Sequence, residues 1–554
     1  MRTYFVIQDG MAMKNKSYYG LKYLLLCYIL VTVVLPIVSL FSTIRGQHIA
    51  EVFGSAQFWP MLEHSLVTTV LATAVSIFLS FGLAWLLNRS NIYLKPVFVV
   101  LFTVPMLIPS ISHGMGLVLL LGDNGLLTNL LGLNIGLYGY KGIVMGSVLY
   151  SFPVAFLMFN DSFHYEDYTV YEAAGVLGLN KWKQFLTITL PSMRRTIVSA
   201  VLAVFTMIFT DYGVPLMTGG TVMTLPVYMY REVIGMMNFS GGAVVGVVLL
   251  TPAVVAFLID LRNSGTHASA STVTKPYHIE ENKTRDILVY VIFAVVLLML
   301  CMPIFTFVFL SFVKQYPVDM SFSLETLNRL LASGIGMYFV NSMAVALLTA
   351  LFGTCLSYFS AYITARGGRK ISNKFLHFVS MLSLAIPGIV LGLSFVLTFK
   401  GLSIYSTIFI LVVVNIVHFF SSPYLLAYNS LSKFNPNLED VAKSLGISRM
   451  RMLFSVYIPC TRATIVEMYS YYFVNGMITI SAVSFLANFR TKPLALLIPQ
   501  LESQSFIEGT AVVSLMILVI NLLEKMMAYF VKRAIVKEDQ RRGVAILEDA
   551  APQE

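Results

Sequence analysis

Residues 171–191, YEAAGVLGLNKWKQFLTITLP, interrupt an otherwise oily chain, and residues 438–459, LEDVAKSLGISRMRMLFSVYIP, repeat the same layout. Each stretch is polar enough to lie in water, yet each stands between hydrophobic runs of membrane-crossing length. The first opens with Thr169-Val-Tyr-Glu172 and the second with Asn437-Leu-Glu-Asp440. A capping residue three positions ahead of an acid predicts a capping box at the start of a helix in both. Apolar residues then fall at Val170, Ala173, Ala174 and Leu177, and at Leu438, Val441, Ala442 and Leu445. That i, i+3, i+4, i+7 spacing predicts a two-turn amphipathic helix. Gly178 or Gly446 follows, where a left-handed residue ends a helix at little steric cost. A second helical run leads to Pro191 or Pro459, each able to open the next helix. In the first copy Trp182, Phe185 and Leu186 read as an anchor for that second run.

The surroundings set the fold class. Of 554 residues, 57% are hydrophobic and only 12% are charged, against about 25% charged in soluble proteins. The mean hydropathy is +0.79. Apolar runs near 20 residues predict membrane-spanning helices. Six are expected near 21–41, 65–87, 96–121, 140–160, 196–217 and 241–261. Six more are expected near 287–311, 340–364, 375–398, 404–428, 464–487 and 509–531. The fold class is therefore an all-α polytopic membrane protein of about 12 spans. The first run is long enough to span and lacks a cleavage-site pattern, so it reads as an uncleaved helix. Cys27, Cys301, Cys355 and Cys460 are scattered without metal or redox spacing and read as small hydrophobes.

Lysine and arginine in the loops set the orientation. With the N-terminus in the cytoplasm, the large majority of the 37 basic residues fall in cytoplasmic segments, and Lys525 lies within the last run. Both termini and both polar stretches are then cytoplasmic. The net charge of +10 reports topology, and a nucleic-acid partner is the wrong inference from it.

The chain is duplicated. At an offset of 268, Gly178 pairs with Gly446, Pro191 with Pro459, Arg194 with Arg462 and Ile197 with Ile465. Earlier in each half the offset becomes 277, pairing HSLVTTVLATA from His64 with NSMAVALLTAL from Asn341. LIPS around Pro109 likewise parallels AIPG around Pro387. Six spans per half give two parallel repeats. Their limits are 1–261 and 287–554, the latter with a cytoplasmic tail, joined by a solvated linker at 262–286 rich in Ser, Thr and charge. No phosphate-binding loop is present, so no nucleotide cofactor is expected on this chain.

An isolated helix of two turns is marginal in water, so something must hold each polar stretch. Folding back onto the protein's own helix ends is the plain alternative. Two copies that preserve cap, face and glycine favour a pair of plugs for grooves on a cytosolic partner.

Glu172, Ala173, Ala174, Gly178, Ile188, Leu190 and Pro191 spell a pattern that resembles the EAA loop of bacterial ABC importer permeases. The second copy departs from it with Asp440-Val441-Ala442 in place of Glu-Ala-Ala, and keeps Gly446. The resemblance implies that each loop is a coupling helix seated in a groove of a cytosolic ATPase. It implies two copies of that ATPase, which bind ATP in place of this chain. It also implies an external solute-binding protein and residence in the bacterial inner membrane. Two loops in one chain are similar to the fused permeases of iron(III), thiamine and phosphonate import. Residues 210–220, 230–260 and 467–502 are most similar in wording to permeases for 2-aminoethylphosphonate, with iron(III) as the main competitor.

A different class, an ion-coupled secondary transporter, needs charged relay residues within its spans. Asp211 is the one serious candidate for a translocation path, beside Tyr212, Gly213 and Pro215 where the fifth run should break. Glu467 reads as an interfacial carboxylate, and Asn415 and His418 as packing or interhelical hydrogen-bonding residues. The expected role is a transport component without catalytic or metal-ligating residues of its own.

Overall fold

A computed structural model describes residues 17–132, 135–263, 275, 277–368 and 370–549, so most of the linker lies outside the described residues. Helix dominates, and one short antiparallel hairpin, Val313–Gln315 with Asp319–Phe322, supplies the only strands among the described residues. Nine helices there are long and apolar enough to cross a membrane, or up to eleven if two bent pairs each count as one span.

The departures from the twelve expected runs have local causes. Residues 96–121 divide into Lys95–Thr103, a tight turn at Val104–Leu107, and Ser110–Leu121. Residues 375–398 divide likewise, and Ile371–Ala385 meets Gly388–Phe399 at 112°. Pro109 and Pro387 sit at these breaks. A proline forces its predecessor out of the helical region, and Ile108 and Ile386 are indeed extended. Residues 404–428 bend by 53° between Ile408–His418 and Ser421–Ser432. There Pro423 has no N–H to give Phe419, and its ring would crowd that carbonyl. The eleventh run stops at Ile478, after 17 residues. The fifth ends at Phe209, short of the expected 217.

The chain forms two compact units. One contains the described residues of 1–43, 336–494 and 518–554, and the other 44–335 and 495–517. The first span, Ser17–Thr43, therefore sits with helices of the second half. Lys22 Nζ donates to Ser372 Oγ at 2.6 Å, and the Tyr18 ring meets Tyr362 edge-on at 6.3 Å. The seventh span, Lys283–Leu310, sits with helices of the first half. The Tyr93 N–H donates to the Tyr290 hydroxyl at 2.8 Å. Phe293 stands 5.1 Å from both Phe98 and Phe102. Gly116 allows a close approach, since a Cβ there would come within 2.6 Å of Pro303.

Spans in lipid gain nothing from burying oil against oil, so close packing and hydrogen bonds hold them together. Between Phe58–Arg89 and Tyr140–His164, Ser76 and Ser151 share a hydrogen bond of 2.7 Å, and Ser80 donates to the Phe152 carbonyl at 3.0 Å. Small hydroxyl residues let these two backbones approach. Phe102, Phe152, Phe156 and Phe159 then fill the space beside them, all fully buried.

Candidate functional site

Both polar stretches form a helix, a sharp turn and a second helix, as their spacing predicts. The first helix is Thr169–Val176 in one unit and Leu438–Ser444 in the other. Gly178 at φ +73° and Gly446 at φ +66° make the turn. Leu179 N–H reaches the Ala174 carbonyl at 3.0 Å, and Ile447 N–H reaches that of Ala442 at 2.8 Å. These are the bonds of a glycine-closed helix end. The second helix is capped by Asn180 Oδ1, accepting from Lys183 N–H at 2.8 Å, and by Ser448 Oγ, accepting from Arg451 N–H at 3.2 Å. Both caps fall at the same offset of 268.

A five-residue π turn follows in each, Phe185–Thr189 and Leu453–Tyr457, directly before Leu190-Pro191 and Ile458-Pro459. Proline withholds an N–H from the carbonyl four residues back and crowds it, and a widened turn accommodates both effects. Phe185 anchors the first copy as expected, its ring 6.2 Å from both Phe81 and Trp85. Trp182 stacks on Phe185 at 5.6 Å but stays exposed.

The capping box is a correction. Neither Thr169 nor Asn437 caps through its side chain, because the backbone there is already helical and a capping side chain needs an extended residue. The acceptor sits two residues upstream instead. Asp167 Oδ1 takes the Thr169 N–H at 3.0 Å, and Asn435 Oδ1 takes the Asn437 N–H at 2.9 Å. Hydrogen bonds from Thr169 hold the Asp167 carboxyl below the usual range. Glu172, released from capping, pairs with Lys275 Nζ at 2.5 Å. Asp440 pairs with Lys443 of its own helix at 2.7 Å, which lowers its pKa.

The faces also divide differently from the expected stripe. Tyr171 and Ala174 point inward in the first copy, and Ala442 in the second. Ala173 is exposed. Val170, Val176 (90% exposed) and Leu177 (79%) point outward, as do Val441 and Leu445 (69%). Apolar side chains are thus presented to solvent on helices that have polar surroundings.

Asp211 follows the helix Leu190–Phe209 and accepts from the Val214 N–H at 2.9 Å, opening the short helix Gly213–Thr218. With Ser65, Thr69, Ser147 and Thr224 it lines a cavity of about 10 Å³, room for one water molecule. Glu467 pairs with Lys532. Asn415 is fully buried with neither amide atom hydrogen-bonded, which leaves packing of its two expected roles, and His418 Nδ1 also lacks a partner. Glu524, which the sequence reading passed over, is buried and accepts from Ser470 Oγ at 2.8 Å. Also passed over were Arg89 and Arg366, which close their spans beneath the two polar loops. Their separation of 277 matched the upstream repeat offset, and that was the available signal.

Residues 76–262 and 353–537 each match the family described as binding-protein-dependent transport system inner membrane component. A putative ferric transport system permease protein of Haemophilus influenzae is 25% identical over 502 residues, covering 84% of this chain and 78% of its own length. A ferric transport system permease protein of Actinobacillus pleuropneumoniae is 24% identical over 492 residues, covering 83% and 70%. A molybdenum transport system permease protein of H. influenzae is 29% identical over 182 residues, 30% of this chain and 79% of its own. Among solved structures, a chain of a bacterial alginate ABC transporter, crystallised with a periplasmic protein holding an alginate pentasaccharide, covers 46% of this chain and 94% of its own. That likeness has 19% identity and a TM-score of 0.37. Matched twice and over more than half of its length, the chain belongs to the inner membrane components of binding-protein-dependent transport systems, as a multi-pass ABC importer permease with two repeats fused in one polypeptide.

Proposed function

We propose that this permease seats two cytosolic ABC ATPase subunits on Thr169–Val176 and Leu438–Ser444, and passes a solute received from an external binding protein. One observation carries the reading: two loops of low identity share cap, glycine turn and π segment, and both leave apolar side chains in solvent. The loops then face the cytosol, both termini lie there, and the chain sits in the bacterial inner membrane. ATP is bound and hydrolysed on the partner. Co-purification tests the docking: two ATPase copies per permease are expected, lost when Glu172→Lys and Asp440→Lys are combined. Gradient-driven uptake with no ATPase would overturn it.

For the cargo, iron(III) is the reading we favour, because two relatives that match 84% and 83% of the chain are ferric permeases while the molybdenum relative matches 30%. The wording of residues 467–502 supports 2-aminoethylphosphonate as the second reading. Titrating the external binding protein with each decides between them, and binding of the phosphonate alone excludes iron.

A further inference from the structure

Beneath each coupling helix lies a buried guanidinium, and its partners are the same in kind but exchanged in position. In one unit Arg89, the last residue of Phe58–Arg89, is only 8% exposed. Its Nη2 donates to Glu166 Oε2 at 2.5 Å and to the Tyr171 hydroxyl at 3.2 Å. That hydroxyl donates to Glu166 Oε1 at 2.5 Å and lies 2.8 Å from Thr189 Oγ1. In the other unit Arg366, the last residue of Ile335–Arg366, grips Glu439 through Nε and Nη2, both at 2.6 Å. Its Nε also reaches the Tyr457 hydroxyl at 3.2 Å, which donates to Glu439 Oε1 at 2.6 Å.

At the repeat offset of 268, Tyr171 corresponds to Glu439, Thr189 to Tyr457, and Glu166 to Phe434. The acid precedes the helix and the phenol lies on it in the first copy. In the second the acid lies on the helix and the phenol comes from the returning π turn. Each triangle joins the end of one span to both sides of its loop. The rest of each guanidinium is treated differently too, and Arg89 Nη1 has no hydrogen-bond partner among the described residues. Tyr277 of the linker covers Arg89 at 3.3 Å from ring centroid to Cζ, whereas Arg366 donates to the carbonyls of Phe434 and Asn435 at 2.9 and 2.8 Å.

Arg366 grips its carboxylate with two donors and Arg89 reaches its own with Nη2 alone, and in each a planar guanidinium fixes direction as well as distance, which an ammonium cannot do. The arrangement suits a mechanical link better than a simple charge contact. We propose that Arg89 and Arg366 are positioning residues that make each coupling helix and the span ending in its arginine move as one body. What the two copies keep in common is then a triangle of guanidinium, carboxylate and phenol, and not a column of matched residues. The inference rests on the reading of these helices as ATPase docks.

The test uses the complete complex in proteoliposomes. Arg89→Lys and Arg366→Lys should retain the ATPase and its hydrolysis, while iron(III) imported per ATP falls by about three- to tenfold. Tyr457→Phe, which removes one hydroxyl and keeps the packing, should lower the same ratio in the same direction. Installing the second arrangement in the first copy, with Glu166→Phe, Tyr171→Glu and Thr189→Tyr together, should restore a ratio that Tyr171→Glu alone depresses. A second arm needs no cargo: spin labels at Val176→Cys and Phe78→Cys, in a chain with its four cysteines replaced by serine. Their distance should stay narrow with and without ATP in the wild-type background and broaden with ATP in Arg89→Lys. Lysine variants that lose yield and ATPase together, yet keep the wild-type ratio and a narrow distance in the surviving complex, overturn the proposal. A wild-type chain that retains no ATPase removes the docking reading as well, so the two failures are distinguishable.

Discussion

Gly178 shows how much one residue can decide. A Cβ added there meets nothing within 4 Å, so its φ of +73° is the whole cost of substitution. A left-handed backbone costs a residue with a side chain roughly 1–2 kcal/mol. Gly178→Ala should therefore leave the spans intact and loosen only the turn between the coupling helix and its successor. Limited proteolysis is the check: cleavage should quicken around residues 176–181 and nowhere else. This glycine was legible in the sequence because its requirement is local. The caps were not legible in position. Asn180 and Ser448 act as such residues should, but Asp167 and Asn435 displaced the expected Thr169 and Asn437. Sequence spacing cannot say which residue is the first to leave helical geometry, and a shift of two moved the acceptor. Arg89 and Arg366 were harder still, since each partner comes from elsewhere in the chain. A search for matching columns finds Tyr171 against Glu439 and sees no likeness.

The coupling helix works at the scale of an element, because its outward face is useful only when all of it is presented. Fully burying a leucine side chain is worth about 1.5–3 kcal/mol, and 1.4 kcal/mol is about tenfold in affinity. Leu177→Ser and Leu445→Ser should each weaken ATPase binding by about tenfold. Stability should hardly change, because both side chains already lie in solvent. Titration of purified permease with the ATPase measures the first, and a thermal melt of the permease alone measures the second. The helical period correctly gave the existence and length of these helices. It could not assign the faces, because apolar residues serve a future partner as readily as a core. Ala174 turned inward while Val170, Ala173 and Leu177 did not. The spans followed a similar rule. Long unbroken runs such as Lys283–Leu310 were legible from hydropathy, whereas the bends near Pro387 and Pro423 occur inside helix pairs that are apolar enough to pass together as one span.

At the scale of the whole molecule, the duplication was legible but the exchange of first spans was not. Hydropathy records that a helix will cross the membrane, not which neighbours it will choose. Ser17–Thr43 packs with the second half and Lys283–Leu310 with the first. Either half expressed alone therefore lacks one wall of its own unit and carries a span with no partner. Cutting the chain within residues 264–274 should give two fragments that are each degraded alone but accumulate together. Membrane abundance after separate and joint expression is the measurement, and stable accumulation of one fragment alone would refute the expectation.

The same exchange imposes a schedule on synthesis. Lys22 and Ser372, which bond across the first span and its neighbour, are separated by 350 residues. A ribosome adds about 5–20 residues each second, so the first span waits roughly 20–70 seconds in the bilayer before its partner exists. The seventh span meets no such delay, because the helices it joins are already made. The lysine at position 22 must be tolerated by lipid, headgroups or a chaperone for that interval. The two halves therefore carry unequal risk during biogenesis, since the first span must wait for a neighbour made 350 residues later.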